Sequence, residues 1–223
     1  VARQRTPEAE RKTRESLFLA GARAFLRDGY EATSMKSLAE EAGCTTGKYY
    51  CYYSGKPELL KELLTVLFEK NRREAQRFAE KRKDSFYGAV VFSALLLAGS
   101  MQHEPLREIC REGLRQPEAA AVAEEIFMSF VRQRGSASAS DILRVKTAVE
   151  AIPCFLRDEP AMDAGTRGKL FLSVLLGILG RTDAEKAAYL EAVESDAKSI
   201  RERSYDVLIK LLAGPKKKSV KKM

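Results

Sequence analysis

Histidine occurs once in the 223 residues, at His103. A metal site built on paired imidazoles and a zinc finger both need more than one. A Ser-His-Asp or Cys-His arrangement would rest on that single ring, with no glycine-flanked nucleophile beside it, and no Gly-rich phosphate loop is present. The expectation is therefore a protein that is not an enzyme, without catalytic residues, metal or cofactor. Cysteine is scarce as well, at four residues. Cys44 and Cys51 on one helix would hold their Cα atoms roughly 10 Å apart, too far for a bridge, which suits a reduced, cytoplasmic chain. Glycine (14) and proline (7) are few against 45% hydrophobic and 31% charged residues. That balance excludes a low-complexity or disordered chain and suits one or two compact domains. The longest apolar runs, 89–99 and 170–180, cover 11 residues each, against the roughly 20 of a membrane span. Both are expected to be buried core helices, with no membrane partner. No apolar segment follows the cations Arg3, Arg5, Arg11, Lys12 and Arg14, so no secretory signal is read.

The net charge of +8 is unevenly spread. Residues 1–56 hold 10 Lys/Arg against 7 Asp/Glu, residues 57–215 hold 24 against 24, and residues 216–223 hold 5 against none. A neutral middle between basic ends directs any anionic partner to the ends. The tail 216–223 reads first as a solvated, disordered segment, with phosphate attraction as the alternative.

Helical periodicity runs through nearly the whole chain, with no alternating strand pattern. Thr6-Pro7 followed by Glu8 and Glu10 has the marks of a helix start: a hydroxyl cap, a residue without the orphan amide, then acids at the positive end of the dipole. Leu17, Gly21, Ala24 and Phe25 share a face, and Asp28-Gly29 ends the helix. Ser34 caps a short helix with Met35, Leu38, Ala39 and Ala42 on one side, stopped by Gly43. The polar segment from Cys44 to Tyr53 reads as a further helix of roughly two turns. A fourth helix opens at Lys56-Pro57-Glu58 and serves as a connector over about 56–83. Further helices are expected near 86–101, 105–116, 118–134, 141–157, 166–180 and 183–212, the last opened by a Thr182/Glu185 capping box.

A capped helix, a glycine turn and a polar second helix form the outline of a helix-turn-helix DNA reader. Thr45, Thr46, Lys48, Tyr50 and Tyr52 supply donors suited to phosphate oxygens and base edges, and Gly47 lets the backbone approach a duplex. Tyr49 and Tyr53 are expected to pack inward instead. Residues 11–64, above all Gly29-Tyr30, Thr33-Ser34, Leu38-Ala39, the run from Ala42 to Gly47, Tyr50, Tyr52-Tyr53 and the run from Lys56 to Leu60, resemble the N-terminal domain of the TetR family of transcriptional repressors. The resemblance implies phosphate contacts from Ser34, Thr45, Tyr50, Tyr52 and Lys56, and places Lys36, Thr46 and Lys48 within reach of base edges, with Gly47 between. Lys48 stands where a small hydroxyl residue is usual in the family, and Tyr49 where an aliphatic is.

The resemblance further implies an all-α fold: a three-helix DNA-binding domain over 1–56, joined by the connector to a helical effector-binding and dimerisation domain over 57–215. Its partners would be a pseudo-palindromic double-stranded operator, a second copy of the chain and a small-molecule effector of unread identity. Candidate pocket residues are Phe86, Phe92, Met101, His103, Phe127 and Phe130; candidate dimer contacts are Leu172, Ser173, Leu176, Gly177 and Leu208. A helical adaptor or architectural DNA-binding protein without a small ligand is the alternative.

Overall fold

The first helix, α1 (Pro7–Asp28), starts as its sequence dictates. Thr6 sits in extended backbone and its hydroxyl accepts the Ala9 amide at 3.3 Å, with Pro7 in the first turn. This computed structural model describes residues 6–132, 138–157 and 162–213. The basic tail expected at 216–223 and the breaks expected around Gly135 and Pro160 lie outside them. Among the described residues the chain is helical throughout, without strands.

Helix α2 (Met35–Glu41) is short and tightly capped: the Ser34 hydroxyl accepts from the Ser37 amide at 3.0 Å, while the Ser37 hydroxyl accepts from the Ser34 amide at 2.9 Å. Gly43 turns the chain with a φ of +62°, which brings the Cys44 amide to the Ala39 carbonyl at 2.9 Å. A side chain there would be strained. Helix α3 (Thr46–Tyr50) follows at once, capped by Thr45. Helix α4 (Lys56–Arg82) runs from this unit into the rest of the molecule, where α5 (Ser85–Gln102), α6 (Glu104–Gly113), α7 (Pro117–Arg132), α8 (Ala139–Phe155), α9 (Ala164–Ile178) and α10 (Asp183–Ala213) pack together.

Helix α5 is the centre of this second part. Phe86, Tyr87, Val90, Val91, Phe92, Leu95 and Leu96 are all buried, on every side of the helix, against α4, α6, α7, α9 and α10. Its apolar length fits a core helix, as the run at 89–99 implies: its 18 residues match a membrane span by composition, but its neighbours enclose it. The run at 170–180 behaves differently. In α9, Phe171, Leu172, Leu175 and Leu176 face the core, whereas Leu170 and Val174 are 45% and 38% exposed.

Two polar joints hold the arrangement. At the end of α4, Arg82 donates through Nε to Asp196 of α10 at 3.0 Å, and the buried Tyr87 of α5 donates its hydroxyl to the same carboxylate at 2.9 Å. The Arg82 guanidinium lies 4.8 Å from the Tyr87 ring centre. Nearby, Tyr189 donates to Asp84 at 2.9 Å. At the other end, Glu108 of α6 accepts the Glu31 amide at 3.0 Å, docking the link between α1 and α2.

His103 both ends α5 and caps α6, its Nδ1 accepting the Leu106 amide at 3.3 Å. Burial holds its pKa below the ordinary value of 6.5. Between the lowered folded value and 6.5 the unfolded chain therefore binds the extra proton, so stability falls as pH drops through that window. The expected result is a urea midpoint that declines below about pH 6.5 in the native chain and loses that part of its slope in His103→Asn, which keeps a capping acceptor without titrating. Identical pH profiles for the two would remove His103 from the account.

Candidate nucleic-acid interface

Helix α3 is oriented by its buried side. Tyr49 is wholly buried and donates its hydroxyl to the Leu17 carbonyl of α1 at 2.9 Å. Gly21 makes this possible: a Cβ there would strike Leu59 and come within 2.6 Å of the Tyr49 hydroxyl oxygen. Tyr53, also wholly buried, lies 5.6 Å from Tyr49 between ring centres and carries the Arg14 guanidinium 5.3 Å from its own. The inward role expected for both tyrosines holds. With one side anchored, α3 turns Gly47, Lys48 and Tyr50 to solvent, Tyr50 at 51% exposure, and leaves Thr46 half-buried.

The helix is shorter than the roughly two turns expected from Cys44–Tyr53. It has five residues, and Cys51 and Tyr52 lie in a turn in which the Tyr52 and Tyr53 amides both reach back to the Tyr49 carbonyl. Burying Tyr49 and Tyr53 together demands that change of direction. Tyr52 is half-buried beside it.

The remaining candidate residues are distributed as follows. Ser34 and Thr45 are exposed N-caps of α2 and α3, and Lys36 is exposed in the first turn of α2. A Cβ added at Gly47 would meet no atom within 4 Å, so the backbone there faces open space. Lys56 is the exception to free exposure: its Nζ donates to the Tyr30 carbonyl at 2.8 Å and lies 4.4 Å from the Tyr30 ring centre. An ammonium carries three donors, so the others stay available. Ser37 was not singled out in the sequence, and Tyr30 entered only through the resemblance, with no role of its own. A hydroxyl three residues after Ser34 was the available signal for the first; nothing local marked Tyr30 as the carbonyl under Lys56.

Residues 17–63 match the family model for bacterial regulatory proteins of the tetR family. Over those residues the chain is similar to the DNA-binding domain of that family. The HTH-type transcriptional regulator TtgR of Pseudomonas putida is 38% identical over 66 residues, which cover 30% of this chain and 31% of that regulator. The uncharacterized HTH-type transcriptional regulator YfiR of Bacillus subtilis is 29% identical over 75 residues, 34% of this chain and 37% of that one. The match thus spans about a third of these curated relatives. Among solved structures, RolR in complex with resorcinol superposes with a TM-score of 0.65 at 14% identity, covering 82% of this chain and 95% of that one. SmeT, the repressor of the Stenotrophomonas maltophilia multidrug efflux pump SmeDEF, superposes at 0.50 with 19% identity, covering 78% and 90%. These likenesses show the fold: an N-terminal helix-turn-helix followed by an all-helical C-terminal part.

In that C-terminal part most of the expected pocket residues lie away from the open cavity. Phe86, Phe92, Phe127 and Phe130 are at most 1% exposed and interlock in the core, with Phe92 between Phe68 and Phe127 at 6.1 and 5.4 Å. Phe86 is covered by Tyr189 and by the Arg181 guanidinium, 3.8 Å from its ring centre. His103 is a helix cap. Met101 alone of the six lines the cavity of about 420 Å³ that opens between α5, α9 and α10. Large aromatics fill space rather than leave it; the void forms where Ala94, Ala98, Gly165, Gly168 and Ala197 are too small to meet. Of the expected dimer contacts, Leu172, Leu176 and Leu208 are buried within the chain itself, while Ser173 is half-buried and Gly177 exposed on the face that carries Leu170 and Val174.

Proposed function

We propose that this protein is a dimeric transcriptional repressor that binds a pseudo-palindromic operator and is released from it by a small molecule held between α5, α9 and α10. The observation that carries the reading is α3: Tyr49 pins one side into the core while Gly47, Lys48 and Tyr50 remain free for a duplex. A recognition helix of five residues reads too few bases alone, which favours paired readers on half-sites about 34–36 Å apart. The second copy would cover Leu170, Val174 and Gly177 of α9, with Tyr205 and Ile209 of α10, all exposed in the single chain. Footprinting on the DNA flanking the gene, with and without fractions of cell extract, tests the reading. A protected two-fold site that is lost with one fraction supports it; a chain that stays monomeric at micromolar concentration overturns it.

Within that reading Lys48 meets bases and Lys56 meets phosphate. Lys48→Ala is expected to cost about 1–3 kcal/mol at the operator and to relax its preference over random DNA. Lys56→Ala should weaken all DNA alike and lower the salt slope by about 1. Salt titrations on operator and random duplexes separate the two, and an equal loss on both for Lys48→Ala would reassign it to the backbone.

A further inference from the structure

The cavity between α5, α9 and α10 has an uneven wall. Its floor and sides are apolar, formed by Leu97, Met101, Leu172, Leu190, Val193 and Ile200. Its polar lining side chains are Gln102, Lys169, Glu194 and Arg201, two cations against one acid. Lys169 is already engaged, with Nζ 3.3 and 3.4 Å from the two carboxylate oxygens of Glu194. Both of those side chains are about two-thirds exposed, so the pair is solvent-screened and weak. The Arg201 guanidinium has no ion pair among the described residues. The first amides of α9 add nothing here, because Asp163 already accepts from Gly165 and Thr166 at 2.9 and 3.0 Å. What remains is an apolar chamber with one uncommitted guanidinium, a group that pairs with planar acids through two parallel donors.

We propose that this cavity takes an apolar molecule bearing a single acidic group, carboxylate or similar, whose apolar body fills the chamber while Arg201, assisted by Gln102, holds the acid. The volume of about 420 Å³ suits a drug-sized aromatic or alkyl acid. The inference deepens the effector role proposed above, and rests on it only for the consequence of binding. The site lies against the helix that carries Asp196, since Val193, Glu194 and Ala197 line the cavity on either side of it.

Two fluorescent probes that share one ring system test the assignment on the full chain: 1-anilinonaphthalene-8-sulfonate, which carries an acid, and N-phenyl-1-naphthylamine, which lacks it. Saturable binding of both is expected, tighter for the sulfonate. Arg201→Ala should weaken the sulfonate five- to tenfold and leave the neutral probe unchanged; Arg201 is exposed, so the variant folds. Ala98→Phe should abolish both, with its helical signal and melting curve checked alongside. Equal affinities for the two probes, or an Arg201→Ala variant that binds the sulfonate as before, would overturn the acid. Undiminished binding to a folded Ala98→Phe would overturn the cavity. None of these measurements involves DNA. Sulfonate binding that depends on Arg201 but leaves an operator complex intact sustains the site and counts against effector release instead.

Discussion

Replacing Tyr49 by alanine is expected to destroy DNA binding by unfolding the N-terminal helix-turn-helix domain while the helices around α5 stay intact. The side chain is wholly buried, packs against Tyr53 with the two rings tilted by 39°, and closes α3 onto α1 through its hydrogen bond to Leu17. Truncating a buried aromatic typically costs about 3–5 kcal/mol, a large share of the roughly 5–15 kcal/mol that stabilises a whole domain. Gly21 and Leu59, shaped around the ring, offer nothing to fill the hole. Burial raises the phenol well above its ordinary pKa, so it remains a donor at all working pH values. Tyr49→Phe keeps the ring and loses one hydrogen bond, a cost of about 1 kcal/mol. Thermal unfolding followed by circular dichroism, with DNA titration in parallel, distinguishes them. An alanine variant that melts as the native chain does and still binds DNA would show that α3 is held by something else.

The second large effect is expected at Asp196. Its carboxylate is the meeting point of α4, α5 and α10, accepting from Arg82 and Tyr87 in a site that is 7% exposed. Asp196→Ala leaves the buried phenol of Tyr87 without its acceptor and leaves the Arg82 guanidinium only the Ala192 carbonyl, at 3.3 Å. Breaking a fully buried pair costs about 3–5 kcal/mol. Arg82 retains about a third of its exposure, which lets water replace part of the loss and brings the expected destabilisation to roughly 2–3 kcal/mol. Asp196→Asn, which preserves one acceptor oxygen, should recover part of it. Urea midpoints measure the difference; equal midpoints for the alanine variant and the native chain would mean that the joint contributes only geometry.

The elements whose ends are chemically marked were the legible ones. Thr6-Pro7, Ser34, Gly43, Lys56-Pro57 and the Thr182/Glu185 box each state where a helix begins or stops, and the structure uses every one of them. The outward residues of α2 and α3 were legible for the same reason. Helical period is a weaker guide when both faces are apolar. In α9 it separates Leu172 and Leu176 from Leu170 and Val174, but all four are aliphatic, and only the packing of α5, α8 and α10 decides which pair is covered. The cavity was illegible for a different reason. It arises where small residues of α5 meet small residues of the distant α9 and α10, and an alanine or glycine carries no local sign that its neighbours will also be small. The phenylalanines drew attention by size, which is the property that made them core.

His103 also fixes how α5 and α6 meet. Because one residue ends α5 and begins α6, no slack separates those helices, and they meet as two rigid arms at a single joint. Met101 and Gln102, the last cavity-lining residues of α5, lie immediately before that joint. One turn and a half beyond it, Glu108 grips the Glu31 amide, three residues ahead of the Ser34 cap of α2. The Glu108 contact therefore ties α6 to the segment just ahead of the helix-turn-helix, a second connection beside the long shaft of α4.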